Sequence, residues 1–240
     1  MTARSVTSNQ DDIYKNLEAV VRKYAATTVL RPVADHTREA FEQACDFVRG
    51  FNAAGCAELV LDSGCGTGES TLHLARKFPN VPVIGIDKSA VRLSKAGNER
   101  QLEVSAGGSC DVPANAFWVR AELLDFWRLA LEKVDAGEWK ILRHALYYPN
   151  PWPKESEATR RFHLHPIFPT MLRLSPVTEL RTNWEIYARE FAEAAHVLGD
   201  TLSLKFNVEL GAFDPENPET AFERKYKEAR QQLWRTLVKA

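Results

Sequence analysis

The chain has 240 residues, 45% of them apolar and 26% charged, with a formal net charge of −1 and a pI near 6.6. That is enough chain to bury a real core as one large α/β domain, with no need of disulfides or structural metals. It excludes a protein that advertises a nucleic-acid partner through overall charge, so any such surface must be a local basic patch.

In chain order, residues 1–12 are polar and read as loose. Helices are expected near 12–25 and 37–51. In the second, Ala40, Phe41, Ala44, Phe47 and Val48 recur at helical spacing, and Thr37 is a candidate cap with Glu39 and Glu42 behind it. Then short apolar runs alternate with helices. Strands are predicted at 58–61, 81–86, 117–119 and 140–148, with helices at 68–78, 88–97 and 122–133 between them. Such alternation implies crossover connections and a parallel sheet. A fifth strand is expected at 178–181, an amphipathic helix at 184–197 and an alternating strand at 202–210. Residues 211–219 read as a loop, and the end of the basic segment 220–240 as a strand. Residues 1–36 are taken as an N-terminal extension and 37–240 as the main domain. Trp118, Trp127 and Trp139 are read as core.

The first chemical signal is Leu61-Asp-Ser-Gly-Cys-Gly-Thr-Gly68, directly after a strand and at the opening of a helix. Glycines there permit a tight turn and close approach of backbone to a ligand. Asp87 ends the next strand, nineteen residues after Gly68, where a carboxylate in such a sheet meets ribose hydroxyls. The glycines alternate, unlike the dinucleotide pattern, and Asp62 precedes them. A carboxylate there would repel a pyrophosphate and attract the ammonium group of S-adenosylmethionine. The plainer alternative is a glycine-rich turn with no ligand.

These residues resemble the first two motifs of class I S-adenosylmethionine-dependent methyltransferases. The resemblance implies a doubly wound, mostly parallel, seven-stranded Rossmann-like α/β sheet with one antiparallel strand. It also implies that Asp62, Gly64, Gly66 and Gly68 hold the cofactor's methionine and ribose parts and that Asp87 holds the ribose. Glu122 stands where such enzymes place a carboxylate near the adenine amino group; a solvated acid at a helix start is the equal alternative.

The second signal is Tyr147-Tyr-Pro-Asn-Pro-Trp-Pro-Lys154 at the end of the fourth strand. Its prolines stiffen the turn. Asn150 and Trp152 are therefore placed where open α/β sheets bind ligands, although Trp152 could equally be core. The segment resembles the P-D-P-W-x-K motif of bacterial tRNA (guanine-N7)-methyltransferases. Arg160-Arg161, Thr182-Asn183-Trp184 and Thr220-Ala-Phe-Glu223-Arg follow in that family's order. The resemblance spans roughly residues 57–240. It implies methyl transfer to guanine N7 in tRNA, with Asn150 and Asn183 as catalytic residues orienting the base. Trp152, Lys154, Arg160, Arg161, Thr182, Thr220 and Glu223 would bind substrate.

The chain departs from that family's pattern at both Asn150 and Asn183, where Asp is expected, and in the run 154–161, which loses cations and gains two acids. Ala221, Tyr226 and Arg230 replace a lysine and glycines of the pattern. Two alternatives therefore stand. One is a divergent enzyme acting on another RNA site or a small molecule, since Asn150-Pro151 also resembles the N/D-P-P-Y loop of amino-group methyltransferases. The other is a protein that binds cofactor or RNA without turnover. The N-terminus lacks the apolar core of a signal sequence and no run is long enough to span a membrane, so a cytoplasmic protein without a membrane partner is expected. Cys45, Cys56, Cys65 and Cys110 have no metal-like spacing and read as reduced, mostly buried thiols, with no metal expected. A monomer or weak homodimer is the expected state.

Overall fold

The computed structural model describes residues 5–51, 55–95 and 112–240. The predicted helix end at 96–97 and Cys110 lie outside them. The chain divides into two compact units, Pro32–Ala145 and the pair Met1–Arg31 with Leu146–Ala240. Seven strands follow the order β3-β2-β1-β4-β5-β7-β6 in a mostly parallel α/β sheet.

In the unit Pro32–Ala145, α2 (Asp35–Phe51) precedes β1 (Ala57–Ser63), α3 (Glu69–Lys77) and β2 (Val83–Asp87). Then come α4, helical over 90–95, β3 (Ala116–Arg120), α5 (Leu123–Asp135) and β4 (Trp139–Tyr147), which runs two residues past the boundary. β1 pairs in parallel with β2, and β2 with β3. β2 is buried along its whole length, and β1 at all but one position, as apolar runs in a sheet covered on both faces should be. Phe41 of α2 packs edge-on against Phe126 of α5 at 5.0 Å between centroids.

Thr37 does not cap α2. The helix starts at Asp35, and the Thr37 hydroxyl is buried and accepts the Glu122 backbone N–H at 3.1 Å. The thiols are also less buried than expected, because only Cys65 of the three described is; Cys45 is intermediate and Cys56 exposed.

The other unit holds α1 (Leu17–Tyr24), α6 (Phe168–Arg173), β5 (Val177–Thr182), α7 (Glu185–Leu202), β6 (Asn207–Phe213), α8 (Ala221–Glu228) and β7 (Leu233–Lys239). β7 runs antiparallel to both β5 and β6. Tyr187, Phe191, Ala194 and Ala195 of α7 form its buried stripe, with Phe168, Met171 and Leu180.

The strand predicted from 202 starts only at Asn207. Leu202 still belongs to α7, and Ser203 closes that helix in the left-handed region at φ 56°. The Leu204 N–H bonds back to Gly199 O at 2.9 Å, the signature of a helix stop rather than a strand. Gly199 permits this, because a Cβ there would sit 2.9 Å from Leu204 O. β6 also runs on through Phe213, so the loop that follows is shorter than predicted.

Residues 8–12 are not loose either. Gln10 is buried, and the Ser8 hydroxyl donates to Pro153 O at 2.6 Å.

Candidate functional site

The glycine loop joins β1 to α3. Gly64, Gly66 and Gly68 all have φ between 59° and 85°, so the turn is open only to residues without a Cβ penalty. A Cβ added at Gly64 or Gly66 would meet no atom within 4 Å, so the backbone borders open space. The Gly64 and Cys65 N–H groups both donate to Ile86 O, at 2.7 and 3.0 Å, fixing the loop against the end of β2.

Two buried carboxylates lie under this loop. Asp62 Oδ2 accepts from the hydroxyls of Ser70 at 2.7 Å and Thr71 at 2.6 Å, in the first turn of α3. Asp87 accepts the Gly66 N–H at 3.1 Å and the Ser89 N–H at 2.8 Å, with Arg92 at 3.5 Å. Burial, and then the Asp62 and Asp87 charges, push the Cys65 thiol well above its usual value, so it stays neutral. Glu122 is half-exposed at the start of α5, and its side chain makes no capping bond.

Ser70, Thr71 and Ser89 escape sequence reasoning. Their signal, hydroxyls in the first turn after a glycine loop for Ser70 and Thr71 and just past a strand end for Ser89, is too common to single out. Ser63, inside the loop motif, is framework. Its hydroxyl lies 2.8 Å from His144 Nε2 and accepts from Trp127 Nε1 at 2.9 Å, all three residues being buried.

The donor set fits the expected cofactor. The loop 64–68 has no lysine or arginine, its glycines leave a cradle, and two carboxylates supply negative potential and ribose acceptors. A pyrophosphate would meet repulsion there, whereas a sulfonium and an ammonium would meet attraction.

The second set of predicted residues lies in the other unit. At the end of β4, Tyr148 and Trp152 both adopt left-handed backbone, at φ 51° and 45°. For bulky residues this is strain that surrounding contacts must hold in place. Tyr148 N–H donates to Arg181 O at 2.8 Å. Arg161 accounts for Trp152. It is 0% exposed and uses every guanidinium N–H: to Pro151 O at 3.3 Å, Trp152 O at 2.9 Å, Gln10 Oε1 at 2.9 Å, and both Glu190 oxygens at 2.8 and 2.6 Å.

The expectation that Arg161 meets RNA is thus corrected. The guanidinium is buried under the loop and holds its backbone. Glu190 and Gln10, which complete this cluster, were missed; no local pattern marks a mid-helix glutamate as the partner of a distant arginine.

Asn150 is exposed, and its Oδ1 accepts the Trp152 N–H at 3.3 Å in a local turn. Trp152 is half-buried, and Arg160, which is exposed, stacks over its ring at 4.4 Å. Lys154 is exposed. Asn183 is half-buried and donates to Gln231 Oε1 at 3.2 Å.

Thr182, Thr220 and Glu223 are buried and engaged in framework bonds. Thr182 Oγ1 accepts the Trp184 N–H, and Thr220 caps α8 by accepting the Glu223 N–H at 3.0 Å. Glu223 accepts from Arg181 at 2.8 Å and from the Glu219 N–H at 2.6 Å. Thr-x-x-Glu is also the capping-box pattern, here with the Glu223 side chain reaching the N–H one residue before the cap, so a local role needs no ligand.

Residues 57–236 match the sequence model of Methyltransf_4, a methyltransferase family. The chain belongs to this family. Its cofactor is S-adenosylmethionine, in keeping with the loop chemistry above. A tRNA (guanine-N(7)-)-methyltransferase of a Nocardioides species is 30% identical over 195 residues, 73% of this chain and 66% of that protein. A tRNA (guanine-N(7)-)-methyltransferase of Neisseria meningitidis is 27% identical over 187 residues, 75% of this chain and 71% of that protein. A trans-aconitate 2-methyltransferase of Deinococcus radiodurans is 54% identical, but over only 41 residues, 17% of this chain and 16% of that protein. An antibiotic-related methyltransferase structure shares the fold, with a TM-score of 0.54 and 16% identity over 91% of this chain and 98% of that one.

Proposed function

We propose that this protein transfers a methyl group from S-adenosylmethionine to N7 of guanine in tRNA. The observation that carries the reading is the likeness, over as much as three quarters of the chain, to proteins named tRNA (guanine-N(7)-)-methyltransferase. The cofactor supplies an electrophilic methyl on a sulfonium when bound. The glycine loop and Asp87 hold it, and Asp62 keeps α3 against the loop.

Guanine N7 carries an in-plane lone pair, so no proton must leave before it attacks, and no general base is required. The chain's task is to place the base. Asn183 donates to Gln231, which leaves its Oδ1 to accept a guanine N–H. Asn150 Oδ1 accepts the Trp152 N–H and keeps a second lone pair for a guanine N–H. Trp152 offers a ring beside the Arg160 cation, and Arg160 with Lys154 meets phosphates. Arg161, Thr182, Thr220 and Glu223 are positioning residues.

Expressed in bacteria that lack their own guanine-N7 enzyme, the protein should return 7-methylguanosine to their tRNA. Its continued absence, with protein that binds S-adenosylmethionine, would reject the acceptor.

A second reading, a different acceptor, is favoured by the neutral Asn150 and Asn183. A carboxylate would give a bond about twice as strong as an amide oxygen gives. Asn150→Asp should raise guanine methylation under the first reading. No gain, with cofactor binding intact, favours the second.

A further inference from the structure

We propose that Tyr148, Phe222 and Tyr226 form a stacking site for a nucleobase that neighbours the acceptor base in a single-stranded or loop segment of RNA. The inference rests on the RNA reading above. Phe222 and Tyr226 sit one turn apart on α8, with rings 6.0 Å apart and 21° from parallel. Tyr148 leans against both, at 6.1 and 5.6 Å. Phe222 leaves 51% of its surface in solvent and is backed by two further rings.

Two observations favour a base as the occupant. The first is charge: Arg224, Lys225, Lys227 and Arg230 are exposed on and after the same helix, interleaved with the aromatics, and residues 222–240 carry six Lys/Arg against two Glu. Aromatic faces flanked by cations suit bases flanked by phosphates, and they tolerate any sequence because every base has a π-face. The second is the left-handed backbone of Tyr148, which turns that residue out of the β4 line to meet α8 beside the loop that carries Asn150 and Trp152.

The test is binding of a short, unstructured, dye-labelled oligoribonucleotide by fluorescence anisotropy across a salt series, with methyl transfer to tRNA measured on the same preparations. Phe222→Ala should weaken binding about 5- to 150-fold at fixed salt, as loss of one stacked base does. It should leave the salt dependence unchanged, and Phe222→Trp should restore affinity. Lys225→Ala should instead lower the slope by about 0.7. Wild-type affinity in both Phe222→Ala and Tyr226→Ala, with tRNA still methylated, overturns the stacking site and leaves the function standing. Unchanged RNA affinity together with loss of a dimer in Phe222→Ala assigns the rings to a second copy and also overturns it. No RNA binding and no methylation by the wild type rejects both readings.

Discussion

Asp87 accepts the Gly66 and Ser89 N–H groups, and under the proposed function its remaining lone pairs take the ribose diol. Asp87→Asn should therefore weaken S-adenosylmethionine binding by about 10- to 100-fold, the range for a lost charged hydrogen bond. Calorimetry measures this, and the circular dichroism spectrum should not change; undiminished affinity would refute the assignment. Gly85 is a second sensitive position. A Cβ there would lie 2.3 Å from Thr71 Oγ1 and 2.8 Å from Trp118 Cδ1. Gly85→Ala should cost about 1–3 kcal/mol in denaturant unfolding. It should also weaken cofactor binding, because Thr71 is a partner of Asp62. The glycine spacing and the strand-end acid are legible in sequence because a contiguous strand–loop–helix–strand pattern carries them. The tight contact at Gly85 depends on which side chains meet across β2, α3 and β3, and no local pattern encodes it.

At the scale of elements, the parallel strands and their helices are readable because burial on both faces leaves continuous apolar runs. The end of α7 is not. Alternation of Leu202, Leu204, Phe206 and Val208 mimics a strand, while the Ser203 stop is set by backbone hydrogen bonds. The loop at 148–153 gives the element-scale prediction. Arg161, Glu190, His163 and Gln10 form a buried charged cluster beneath it, with His163 Nε2 2.8 Å from Glu190 Oε2. Arg161→Met strands the Glu190 charge and should destabilise by about 3–5 kcal/mol. It should also release the Pro151 and Trp152 carbonyls.

The same cluster sets a pH dependence. Burial lowers His163 below its usual 6.5, despite Glu190. Glu190 resists burial and is brought down to about 2, chiefly by His163 and Arg161. Both groups are depressed on folding, so their stabilisation is present at neutral pH and lost on acidification. His163 starts to lose it below pH 6.5, and Glu190 does so from 4.5 towards 2. The urea midpoint should fall steadily from pH 7 to 4, and His163→Asn should flatten the upper part of that fall. A flat wild-type profile would contradict the cluster's role.

For the molecule as a whole, the sequence is nearly neutral, with 31 Lys/Arg against 32 Asp/Glu, and the cations beside the proposed substrate residues are few: Lys154, Arg160 and those of α8. Binding of RNA should therefore weaken with salt through those few contacts rather than through a global field. The family and the cofactor chemistry were legible, since motifs carry both. The pairing of Met1–Arg31 with Leu146–Ala240 was not, because it depends on contacts such as Gln10 to Glu190, 180 residues apart. The proposed reaction is methyl transfer by this chain to guanine N7. The direct measurement incubates purified protein with radiolabelled S-adenosylmethionine and tRNA lacking that modification, with Asp87→Asn as control. Label should be recovered as 7-methylguanosine with the wild type, and much less with the variant at limiting cofactor. Label in another nucleoside, or none from protein that binds the cofactor, would contradict it.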